Sequence, residues 1–169
     1  MRYLPGRAFP PYAFLPGRDP HPTRDPRGHS FGESEERPPF LPARRWRENT
    51  PYLWGADLYN HRYLWEAHEA WEGLWHASKS DRTLALHLQA LIQCAAAWLK
   101  IAMQQPHGVE RLAALALEKL EQVGAASGES YMGLDLDAFR RAVRAFAASH
   151  PTSLSGYPVL VLGDPEGDD

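Results

Sequence analysis

Residues 65–75 read WEAHEAWEGLW, and the placing of their polar groups decides how the chain folds. Three of the six tryptophans lie in these eleven residues, with one histidine and three glutamates between them. Indole rings gain by burial and carboxylates lose by it unless they are paired. On an ideal helix each residue turns by about 100°. With Leu58 as the reference, Trp71 falls at about 220°, Leu64 at 240°, Trp75 at 260° and His68 at 280°. Glu72 follows at about 320° and Trp65 at 340°, whereas Glu69 and Glu66 fall near 20° and 80°. This reading puts His68 and Glu72 inside the tryptophan stripe, one turn apart, and leaves Glu66 and Glu69 on the solvated edge.

Working outward, the next segment, LHLQALIQCAAAW, carries Gln89 and Gln93 one turn apart. If that stripe faces His68, a polar network forms between aromatic walls. Its expected parts are His68 and Glu72 as catalytic groups, Gln93 as an orienting donor, and Trp65, Trp71, Trp75, Gln89 and Gln93 as the pocket. A divalent metal is a further expectation, held by His68 and Glu72 with His21 and His29 from HPTRDPRGH. Known metal signatures are not met. His68-x-x-x-Glu72 ends in glutamate where HExxH needs histidine, and Trp65 stands where a di-iron Glu-x-x-His needs its glutamate. A network that only fixes helix register remains the structural alternative.

Composition shifts near residue 51. Eleven of the fifteen prolines lie in residues 1–51, which bars long helices there. The same stretch holds Tyr3, Phe9, Tyr12, Phe14, Phe31, Phe40 and Trp46, more aromatic surface than a solvated linker carries. Residues 1–50 are therefore expected to wrap the domain as an arm, with similar turns at Leu4–Arg7 and Leu15–Arg18.

Residues 51–150 read as a compact all-α bundle of about five helices. Pro51 follows Thr50 as N-cap and Asn60 ends the first helix; the second covers 63–77. Ser80 or Asp81 opens a third to about Gln104. The fourth runs from Val109 to Val123 and stops at Gly124, and the last starts at Asp135 or Asp137 and ends at Ala148. Residues 151–169 form an extended tail, with Tyr157–Leu162 laid on the bundle without a partner strand and a frayed acidic end.

A formal net charge of −3 gives no footprint for nucleic acid. The lone Cys94 excludes an internal disulfide and reads as a buried thiol. Thr83–Leu99 has no charge but is interrupted by His87, Gln89 and Gln93, which argues for a buried helix and not a membrane span. The first twenty residues lack an apolar block, so a cytoplasmic setting is expected. Ser30, Ser78 and Ser80 lack the strand–helix context of a nucleophile elbow. His61, His76, His87, His107 and His150 are expected at the surface or at helix ends.

LYNHRYLWEAHEAWEGLW and the glutamine-bearing segment after it resemble the bacterial and archaeal family known as domain of unknown function 309, whose signature is His-x-x-x-Glu-x-x-Trp. Here that signature falls on His68, Glu72 and Trp75, and the likeness runs from Tyr52 to about Ala148. The arm resembles the extension of a longer subgroup. A glycine often stands in the family where this chain has Arg62. The resemblance implies a helical bundle in the cytoplasm and no particular activity. Two functions stay open: a small-ligand or metal-assisted hydrolytic site at His68–Glu72, or an interaction module whose arm docks on a second subunit or a protein partner.

Overall fold

The computed structural model describes residues 1–33 and 37–163. The acidic end expected after Gly163 lies outside the described residues. A 3-10 turn, Ala43–Glu48, leads into α1 (Thr50–Asn60), α2 (Leu64–Ala77), α3 (Arg82–Ala102) and α4 (Val109–Ser127). A minimal hairpin, β1 (Ser130–Tyr131) and β2 (Leu134–Asp135), then precedes α5 (Leu136–Ala148). α2 packs between α1 and α3, and α4 between α3 and α5.

α1 is buried along almost its whole length, from Tyr52 to Tyr59, and so shows no amphipathic stripe. Its cap is Asn49 and not Thr50: the Asn49 side chain accepts the Tyr52 N–H, so Thr50 and Pro51 are already helical. Asn60 is the last helical residue, and its side chain does other work. The amide both donates to and accepts from the Leu160 backbone at 2.7 Å, holding the tail like a strand neighbour. The left-handed turn falls on Arg62, at φ 68.

α3 opens at Asp81, which accepts the Leu84 N–H. It is long and apolar enough to span a membrane by length and composition, yet 56% of its most apolar window is buried within the bundle. Cys94 is buried there, and burial pushes its thiol up to about 12. α4 continues four residues past the expected stop, to Ser127. Gly124 lies inside the helix, where a Cβ would reach only ordinary contact with Leu136, and Gly128, at φ 91, ends it.

The tail has a partner that sequence reasoning did not supply. Leu162 bridges Leu134 of β2, and Gly163 N–H donates to Gly133 O. Pro158, Leu160 and Leu162 are buried while Val159 and Val161 are exposed, the alternation of a strand with one wet face. Met132 and Gly133 both have positive φ, as a two-residue hairpin turn requires.

The arm is a folded coat pinned by two buried carboxylates. Asp57 of α1, fully buried, accepts the Tyr3 and Leu4 N–H groups at 2.8 Å and pairs with Arg2 at 3.1 Å. Glu66 of α2 accepts the Phe14 N–H at 2.8 Å. The Leu4–Arg7 and Leu15–Arg18 turns form with closing bonds of 3.1 and 3.0 Å, although only Gly17 of their two glycines has positive φ. Tyr3, Phe14 and Trp46 are buried, whereas Phe31 and Phe40 are exposed.

Candidate functional site

The core sector of α2 holds Leu64, Ala67, Trp71 and Leu74, all essentially without exposure. Their mean direction is about 200° on the wheel used above, about 70° from the centre of the tryptophan stripe. Trp71 alone of the three indoles is fully buried; its Nε1 donates to Tyr52 O at 3.2 Å. Gly55 makes this possible, because a Cβ there would lie 2.2 Å from Trp71 Nε1. Trp65 and Trp75 are half-buried.

Rotating the core sector moves the polar groups with it. The His68 and Glu72 side chains keep 29% and 42% of their exposure, so they lie at the surface margin and not in the interior. His68 Nδ1 is 3.2 Å from Glu69 Oε1 and 3.9 Å from Glu72 Oε2. One donor atom from each of these three residues lies within 4.8 Å of the others, a set that could hold a metal ion. Gln89 and Gln93 are half-buried on α3, and among the described residues no hydrogen bond joins them to His68 or Glu72. The expected internal network is therefore not formed.

The carboxylate that does enter the interior is Glu66, expected in solvent and found 6% exposed. The arm covers the face of α2 that a bare helix would have left wet. Glu66 Oε1 receives the Phe14 N–H and lies 3.0 Å from His29 Nε2; the His29 side chain keeps 4% of its exposure. Glu66 Oε2 is buried with no partner among the described residues. The two arm histidines thus serve elsewhere than the expected metal set. His29 bonds Glu66, and His21 packs its ring against Phe14 and Trp65 at 5.2 and 5.4 Å.

His29 is held by a closed run of turns. Asp25 N–H donates to His21 O, Gly28 N–H to Asp25 O and Ser30 N–H to Pro22 O. Only glycine fits at position 28, since a Cβ would lie 2.2 Å from Pro22 O. A two-point hydrogen bond from Arg27 anchors the same turns and holds the Asp25 carboxyl down at about 2.

Between arm, α1 and α2 runs a groove of about 740 Å³. Glu66, Glu69, Glu72 and His76 line it from α2, Trp54 from α1, and Arg7, Phe9, His29, Ser30 and Arg37 from the arm. A cavity of about 770 Å³ beside His107, Glu110 and His150 is slightly larger. None of its lining groups is buried and unpaired among the described residues, so the chemistry lies with the smaller space.

One further histidine departs from expectation. His87, expected at the surface, is fully buried, with Nε2 3.2 Å from Tyr52 Oη, which donates to Met132 O at 3.1 Å. Desolvation holds its imidazole neutral, down to about 3. It ties α3 to α1 and the hairpin and faces no cavity described above.

The family model described as domain of unknown function (DUF309) matches residues 52–112. Over this segment the chain is similar to the DUF309 family. No curated protein and no solved structure matches the chain. The DUF309 segment supplies Trp54, Glu66, His68, Glu69 and Glu72, whereas Phe14, His29 and Ser30 come from the arm, outside it. The groove thus joins residues of the matched segment to residues of the arm. Reading the helix without its cover is what hid Glu66; the aromatic content of the arm was the signal that this face would not be wet.

Proposed function

We propose that the groove between the arm and α2 binds a small polar ligand and supports its hydrolysis in the cytoplasm. Glu66 carries this reading. A buried carboxylate oxygen without a donor is costly, by about 1–3 kcal/mol and more if charged, so the groove beside it is built for a molecule that brings a donor. Glu66 and His29 form the proton-handling pair. His68, Glu69 and Glu72 form the cation site, and Glu69 and Glu72 bring it to the groove they also line.

Two measurements test this. Elemental analysis of the purified protein, followed by titration with Zn²⁺ and Mn²⁺, is expected to give one divalent ion per chain, lost in the Glu69→Gln/Glu72→Gln double variant. Ligand-observed NMR with a library of small amines and alcohols is expected to find binders lost in Glu66→Gln. Absence of both a bound ion and a Glu66-dependent binder would overturn the proposal.

A second reading, a protein-interaction module, draws on the exposed Phe31, Phe40, Val159 and Val161. It expects deletion of residues 1–45 to change the oligomeric state; an unchanged soluble monomer would count against it.

A further inference from the structure

Ser30, Gly28 and Gly32 make the pentapeptide GHSFG a G-x-S-x-G match, in a run of turns and not at a strand–helix elbow. What the turns produce is a relay. Ser30 Oγ lies 2.9 Å from His29 Nδ1, and His29 Nε2 lies 3.0 Å from Glu66 Oε1. The direction of the protons follows from donors and acceptors. Glu66 Oε1 already accepts the Phe14 N–H, so it serves His29 as an acceptor too, and Nε2 carries the imidazole proton. In the neutral imidazole Nδ1 is then a bare lone pair, and the only proton between it and Ser30 is the hydroxyl's. A serine hydroxyl aimed at an imidazole base, with a buried carboxylate orienting the far nitrogen, is the arrangement that activates a nucleophile. All three side chains line the same groove.

We infer that Ser30, His29 and Glu66 form a nucleophilic triad for hydrolysis of a carboxylic ester in the arm–α2 groove. The inference deepens the ligand-binding proposal for that groove and rests on it. Ser30 Oγ forms a bond to the ester carbonyl carbon while its proton passes to His29 Nδ1; the carbonyl π pair moves onto oxygen. Collapse of that intermediate breaks the carbon–alkoxide bond, and Nδ1 returns the proton to the departing alcohol. Water then attacks the acyl-serine, giving a proton to Nδ1. That proton goes to Ser30 Oγ as the acyl–oxygen bond breaks, and the carboxylic acid leaves. Glu66 Oε1 accepts from Nε2–H throughout and takes no proton. Arg7 and Arg37 line the groove as the cations available to the negative oxygen.

The arrangement differs from chance proximity in two respects. The His29 ring is held on both nitrogens, and its side chain is nearly sealed from water. The turn that sets Ser30 beside it tolerates no side chain at position 28. A histidine that merely fastened the arm to α2 would need the Glu66 contact alone.

The test is covalent. Full-length protein is treated with a fluorophosphonate, the site is mapped by mass spectrometry, and release of nitrophenolate from p-nitrophenyl acetate is followed. One adduct on Ser30 is expected, absent in Ser30→Ala, with labelling about 100-fold slower in His29→Gln. Because His29→Gln also alters the arm anchor, Ser30→Cys provides an independent arm. Cys94 is buried in the fold but exposed on unfolding, so alkylation at position 30 is read by peptide mass spectrometry in a Cys94→Ala background. Alkylation of Ser30→Cys by iodoacetamide at least tenfold faster in the folded than in the unfolded protein supports the triad. No adduct on Ser30, or an unaccelerated thiol, overturns it. If ligand or cation binding persists in that case, the groove proposal stands and only the nucleophile is refuted. If Ser30 reacts while no Glu66-dependent binder is found, the triad stands and the earlier choice of ligand is refuted.

Discussion

Replacing Glu66 in two ways separates anchoring from chemistry. Glu66 Oε1 takes two N–H donors, from Phe14 at 2.8 Å and from His29 at 3.0 Å. Glu66→Ala removes both bonds and strands both donors beneath the arm. At about 1.5–3 kcal/mol for each bond to a charged acceptor, the expected loss is about 3–6 kcal/mol. That is a large share of a typical domain's 5–15 kcal/mol of roughly estimated stability. Glu66→Gln is isosteric. Its amide oxygen keeps both donors, and its NH₂ replaces an oxygen that has no partner among the described residues. Weaker neutral bonds offset the removal of a buried charge, so the expected change is within about 1 kcal/mol of zero. Urea denaturation followed by tryptophan fluorescence gives both numbers, and limited proteolysis of residues 1–33 reports whether the arm is released. The account expects the alanine variant to be cleaved in the arm and the glutamine variant to resist cleavage while losing groove ligands. Equal destabilisation of the two variants would refute the reasoning, because the charge itself would then be the anchor.

Three further substitutions test the surroundings. His87 has its ordinary value of 6.5 in the unfolded chain and about 3 when folded, so the unfolded state binds the extra proton between those values. Stability should fall as pH drops below 6.5, by up to about 1.4 kcal/mol per unit, and His87→Gln should flatten that limb in denaturation curves taken from pH 7 to pH 4. Arg62 holds a left-handed φ of 68 that glycine adopts freely, so Arg62→Gly should raise stability by about 0.5–1 kcal/mol after the glycine's own entropy is counted, read as a higher urea midpoint. Gly55→Ala places a carbon 2.2 Å from Trp71 Nε1, so the ring must move and lose its bond to Tyr52 O; thermal denaturation should show a loss of about 2–4 kcal/mol.

The helices were legible because their signals are local. Asp81 and Asp135 cap where a helix-capping acid is expected, and the apolar stripes of α3 and α4 follow the helical period. What sequence reasoning missed depends on long-range contacts. The wheel of α2 gave correct relative phases, but the inward direction was taken from three tryptophans when only Trp71 of the three is fully buried. Glu66 read as solvated because no periodicity reveals that residues 10–33 return to lie on that face. Asp57 carried a legible warning, a lone carboxylate in an otherwise apolar helix, and the structure uses it to hold residues 2–4. His87 escaped notice because its partner, Tyr52, lies 35 residues away. Gly124 read as a stop because a glycine inside a helix and one beyond it look alike until the neighbouring Leu136 is placed.

A crystal structure of the protein as purified, with anomalous data collected for metals, is the most direct test of the composite groove. The account predicts Phe14 N–H and His29 on one oxygen of Glu66, and a water, ligand or ion within about 3 Å of the other. An arm lying off α2, with Glu66 turned to bulk solvent or met by a protein donor, would contradict it.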